Sequence, residues 1–170
     1  FWNDYKNIQG ACSFSEGCAP EDVDKVFNGG KAKVYGLESN LHHKLVFSEF
    51  NVPLDLQYTY TRASFDSEFS SSLADWGKGQ VHKGDPLPYI SRHLATLGIG
   101  LEKGHFDGNL LWNLKGRSYD QAVAIEREEI PDARYLDAAL RYRVLENWQV
   151  YVNTDNVLRE RTVVSYRPFG

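Results

Sequence analysis

Two pairs of side chains in this 170-residue chain are spaced closely enough to do chemistry. Cys12 and Cys18 flank the polar stretch SFSEG, and five intervening residues suffice to close a small disulfide loop. Such a loop belongs to a protein made in an oxidising compartment outside the cytoplasm. No histidine stands near them at a zinc-ligand spacing, so a structural bridge is expected and not a metal or redox centre. His42 and His43 look like a second metal pair. Neighbours on a strand point to opposite faces, however, so no shared metal site is expected there. No nucleophile–base pattern, no Gly-rich phosphate loop and no zinc spacing occurs elsewhere. The expectation is a non-enzyme with no catalytic residues and no protein-bound cofactor.

The remaining polar residues fall into rows, which turns attention to the elements that carry them. In DGNLLWNLKGR, Leu110, Trp112 and Leu114 alternate with Asn109, Asn113, Lys115 and Arg117. A period of two predicts a β-strand with one dry and one polar face. Leu111 breaks the pattern as an apolar residue on the polar side. The same alternation sets Tyr35, Leu37, Leu41 and Leu45 against Glu38, Asn40, His42 and Lys44. It recurs with Leu54, Leu56, Tyr58 and Tyr60 against Asp55, Gln57, Thr59 and Thr61. Ala95, Leu97, Ile99 and Leu101 oppose Thr96, Gly98, Gly100 and Glu102, and Trp148, Val150 and Val152 oppose Gln149, Tyr151 and Asn153. The stretch DARYLDAALRYRVLENW fits both a helix and a strand, and its neighbours favour the strand.

Composition narrows the setting. With 42% hydrophobic residues and a net charge of −4, neither disorder nor bulk nucleic-acid binding is indicated. No apolar run is long enough for a transmembrane helix, which leaves a transmembrane barrel open. The absence of Met and the start in mid-pattern at FWNDYKNIQG predict a piece of a larger protein. Connections alternate in length: short at 48–52, 102–105 and 146–148, long at 9–28, 66–90 and 120–132. Within the first long one, PEDVDKVFNGG is expected to add a short helical turn between Pro20 and Gly29. Tight turns at one end and long polar loops at the other are the asymmetry of an outer-membrane barrel. Phe47, Phe106 and Trp148 beside the tight turns, and Tyr58 and Tyr60 further along, suit the aromatic girdles of such a wall. The polar row, which also holds Asp107, Arg141 and Arg143, then faces either a wet lumen or, in a soluble sheet, solvent.

The stretches FWNDYKNIQG…C…C…FNGGKAKVYGLE, GDPLPYISRH and VYVNTDNVLRERTVVSYRPFG resemble the C-terminal barrel of TonB-dependent outer-membrane receptors, the ferric citrate type of siderophore receptor above all. The resemblance spans nearly the whole chain in the family's order. It implies an all-β, up-and-down antiparallel transmembrane barrel, with residues 1–170 supplying about seven of about 22 strands. The N-terminal plug and the last strand would lie outside this portion. The implied function is TonB-dependent import of a ferric siderophore or ferric citrate-like chelate across the outer membrane of a Gram-negative bacterium. Iron would be cargo and not cofactor. The implied partners are the chelate, the TonB complex acting through the plug, and outer-membrane lipid and lipopolysaccharide.

An anionic chelate needs cations, and Arg forks suit its carboxylates. Under the resemblance, Lys115 and Arg117 in the upper lumen and the loop residues Arg161 and Arg167 are the candidate ligand contacts. Trp76, Gln80 and His82 join them from the long loop SSSLADWGKGQVHKGD. Glu38, His42, Lys44, Asp107, Arg141 and Arg143 are expected lower, toward the plug. The competing expectations are a soluble lipocalin-like eight-stranded barrel and a secreted β-sandwich adhesion module.

Overall fold

The computed structural model describes the chain except residues 12–19, 23–25, 72, 74, 75, 126, 164 and 167–170. The order of strands is β1 (Trp2–Lys6), β2 (Gln9–Ala11), β3 (Val26–Asn28), β4 (Lys31–Val46), β5 (Asn51–Phe65), β6 (Phe69–Ser71) and β7 (Gly79–Val81). It continues with β8 (His93–Lys103), β9 (Phe106–Lys115), β10 (Ser118–Tyr119), β11 (Glu129–Ile130), β12 (Ala133–Leu145) and β13 (Trp148–Thr154). Seven of them form one antiparallel sheet in the order β1-β4-β5-β8-β9-β12-β13. Sequential hairpins thus build a wall by simple up-and-down winding. The sheet stays open, with β1 and β13 at its edges. That geometry is not the closed eight-stranded barrel of the lipocalin alternative.

Register preserves every row read from the alternation. His42 stands opposite Asp55, Gln57 opposite Thr96, Gly98 opposite Leu111, and Asp107 opposite Arg141. The apolar rows line up equally: Leu41 with Leu56, Leu56 with Leu97, Leu97 with Trp112, and Trp112 with Leu136. DARYLDAALRYRVLENW is strand β12, because pairing on both sides with β9 and β13 outweighs the helix propensity of its alanines. Leu111 also finds its reason. A Cβ at Gly98 would lie 3.2 Å from the Leu111 Cδ2, so the leucine covers bare backbone across the strand.

The wall has no buried apolar layer of its own. Leu37 is 60% exposed and Trp112 47%, and the rest of the apolar face is exposed or half-buried. A face of that extent is far beyond the patches that soluble domains leave in water. Rings bound it at both ends. Phe47 stacks on Phe50 near the tight turns, and Trp2 stacks on Tyr35 at the far end. There Tyr58 also hydrogen-bonds His93 Nδ1 at 2.8 Å.

The fully buried hydrophobics lie elsewhere, at the long-loop end. A tilted barrel strand needs about 9–11 residues to cross the membrane, whereas β4 has 16 and β5 has 15. Their excess projects outward and carries Ala32 and Phe65 into a cluster with Val81, Ala122 and Val123. Three small two-stranded sheets, β2–β3, β6–β7 and β10–β11, are separate from the wall, and Phe69 of β6 and Val81 of β7 pack in this cluster. Of the helical turn expected between Pro20 and Gly29, the described residues show a 3-10 turn at Pro20–Asp22. Val26–Asn28 pairs instead with Gln9–Ala11 as strand, since Val and Phe favour extended backbone.

Candidate functional site

The polar row lines the wall from the tight turns to the loops, and its lower part is closely self-paired. His42 Nδ1 lies 2.6 Å from Asp55 Oδ1, and Lys44 Nζ lies 2.6 Å from Glu102 Oε2. Asn51 Nδ2 donates to the same Glu102 carboxylate at 3.3 Å. A polar chain crosses the next strands: Thr96 Oγ1 donates to Asn113 Oδ1, and Asn113 Nδ2 donates to Asp137 Oδ2, each at 2.9 Å. Asp137 Oδ1 accepts from the Asn156 backbone N–H at 2.8 Å, which ties the segment after β13 back onto β12. Thr96 and Asp137 therefore knit the inner surface together, a role the alternation did not single out for them.

Other plug-facing candidates are left unpaired. Glu38, Asp107, Arg141 and Arg143 form no ion pair among the described residues. Arg141 and Asp107 share an open groove of about 560 Å³ with Asp55, Glu102, Asn109 and Gln149. Such a surface, with charges of both signs, can meet a polar partner through ion pairs.

The ligand candidates separate by place. Lys115 ends β9 and lines an upper groove of about 340 Å³ with Gln57, Thr59, Thr96, Asn113 and Tyr135. Its ammonium has no ionic partner among the described residues. Arg117, 71% exposed, meets Glu129 Oε2 at 3.3 Å, so its charge is partly answered already. Gln80 is exposed on β7, and exposed His82 closes a turn through its N–H to Asp85 Oδ2 at 2.7 Å. Arg161 is exposed beyond β13. Trp76 takes part in the loop cluster, edge-on to Phe65 and Phe69 at 5.5 and 5.6 Å between ring centres. Arg167 and the Cys12–Cys18 bridge lie outside the described residues. Lys115 is thus in the wall, Gln80 and His82 in the loop layer, and Trp76 has a packing role.

Electrostatics outside the wall centre on Asp66, just past β5. Lys33 at 2.8 Å and Lys83 at 3.0 Å hydrogen-bond its carboxylate. Those ammoniums, Lys33 first, hold the carboxyl below its ordinary range. This clamp fastens the loop after β7 to the projecting end of the wall.

A family model for the TonB dependent receptor-like β-barrel matches residues 1–157. No curated protein and no solved structure matches the chain. The family's barrels lie in the outer membrane of Gram-negative bacteria and serve TonB-dependent transport, which accounts for the apolar face, the girdles and the polar inner row. The chain belongs to the TonB-dependent receptor family, through its β-barrel domain.

Proposed function

We propose that the receptor containing this chain imports an anionic ferric chelate, of the siderophore or ferric citrate kind, with TonB supplying energy through the plug. The observation that carries the proposal is Lys115. Its uncompensated ammonium stands at the upper end of a groove that holds no other charged residue, beneath the loops. Carboxylate-rich iron chelates would be drawn to such a charge, and the low dielectric of a wall strengthens the attraction. Arg117, Arg161 and Arg167 extend the positive field outward, while Gln80 and His82 offer contacts in the loops, and Trp76 supports the loops from within their cluster. Deeper in the lumen, Asp107, Arg141 and Arg143 provide ion-pair partners for a plug, with His42 and Lys44 held ready by their own acids; Glu38, opposite Thr59, would meet a plug higher up.

Uptake of radioactive ferric citrate and of a panel of siderophores by cells carrying the full receptor tests the reading. Lys115→Ala should weaken binding of the cognate chelate roughly ten-fold, the usual order for losing one charge-assisted contact. Lys115→Arg should retain most of it. Equal uptake of every ferric chelate by cells with and without the receptor would sink the iron reading.

A further inference from the structure

Trp76 stands where three long connections of the chain meet. Its own connection follows β5, and its ring lies edge-on to Phe65 and Phe69. The connection between β1 and β4 reaches it through glycines. A Cβ at Gly29 would fall 2.4 Å from two atoms of the indole, and one at Gly10 would touch the ring at 3.5 Å. Gly29 thus keeps open a slot that a side chain would close, and the indole fills it. The connection between β9 and β12 joins through the backbone instead. The N–H groups of Ala122 and Val123 both donate to Trp76 O at 3.0 Å. Their own side chains are buried, at 0% and 3% exposure. Three segments far apart in the chain are therefore held by one residue.

Parity fixes where this assembly lies. Phe65 and, opposite it, Ala32 continue the inward row that holds Asp55, Gln57 and Thr59 lower on the wall. Both are 1% exposed, because Val81, Ala122 and Val123 pack over them. The covering loops thus lean over the lumen side of the wall, beyond the level at which Thr59, Leu94 and Lys115 stand abreast. Segments that share one small core open together, as a cooperative unit. We propose that Trp76 is a keystone that joins the three connections into one roof over the lumen, which moves as a single body. The mouth on this side of the barrel then opens by release of the whole roof, and not by one loop parting from the others. The proposal rests on the wall belonging to an outer-membrane barrel and is independent of which cargo the receptor carries.

Hydrogen exchange of the full receptor in neutral detergent, read peptide by peptide, provides the test. Three amides report on the three connections: Gly29, which bonds Ile8 O at 2.7 Å, Leu87, which bonds Ala63 O at 3.2 Å, and Ala122. Under conditions where opening limits exchange, all three should convert with one shared rate constant in the unmodified receptor. W76A should accelerate all three roughly ten-fold or more and leave the wall amide of Trp112 unchanged. G29A should act in the same way while keeping Trp76, since its methyl group takes the place of the indole. I125A, at a 96% exposed position of the third connection, should alter none of them. Distinct rate constants for the three connections in the unmodified receptor would overturn the proposal, a comparison that involves no variant. So would acceleration confined to a single connection in a folded W76A or G29A.

Discussion

Asp66 gathers two ammoniums from different parts of the chain, Lys33 on β4 and Lys83 after β7. Its backbone N–H also donates to Lys31 O at 2.7 Å. Because the folded carboxyl is held below its ordinary value, its contribution is complete above about pH 5, where an unfolded Asp is almost fully ionised. It is lost as the pH falls through the depressed folded value. Asp66→Asn should therefore loosen the loop at neutral pH and matter little in strong acid. Hydrogen exchange of the Gly84 amide, which bonds Phe65 O at 2.8 Å, reports on the clamp directly. Exchange in the variant should be faster at pH 7, with the difference from the unmodified protein closing toward pH 3. A difference that persisted undiminished in acid would refute the ionic account.

At the scale of strands, the two rows make opposite demands and neighbouring positions should respond oppositely. Leu110 lies on the apolar row of β9 midway between its ends, opposite Ile99 and Ala138, and Asn109 is next to it on the polar row. Leu110→Arg places a charge against hydrocarbon and should cost about 2–4 kcal/mol near the bilayer midplane. Asn109→Arg turns the same charge into the wet interior and should cost little. Denaturant titration of the full receptor in lipid vesicles measures both. Similar losses at the two sites would mean that the rows are assigned wrongly.

This parity was legible in the sequence because a period of two is local, and it placed Lys115, His42 and Leu110 on their faces without further information. The loop layer was not legible. Phe65 and Trp76 meet across a polar connection with no periodicity, and hairpins of two or three residues per strand leave almost no pattern. For the same reason Trp76 reads in the sequence as an exposed contact, whereas its ring packs on Phe65 and Phe69. Arg62 was hidden in a different way. Its place on the outward row is plain, but the cavity it lines is completed by Arg92, just before β8, and by Ser118 of β10.

Taken as a whole, the molecule is a curtain of seven strands hung from a loop cluster, and its weakness lies at the two vertical edges. β1 contributes five residues and β13 seven, and each presents about half of its backbone N–H and C=O groups to nothing in the sheet. In hydrocarbon each unmet group costs several kcal/mol, so the two edges together cost on the order of tens. Net domain stability is only about 5–15 kcal/mol. The loop cluster cannot offset such a deficit, since it is a small core and lies outside the membrane. Residues 1–170 expressed alone in neutral detergent should therefore fail to give the compact, heat-modifiable band of a folded barrel on unheated gels. Supplying the adjoining strands of the receptor in the same tube should restore it, because each new ladder satisfies an edge along its whole length. A folded monomer of residues 1–170 without those strands would show that the sheet closes in a way that the seven-strand order does not allow.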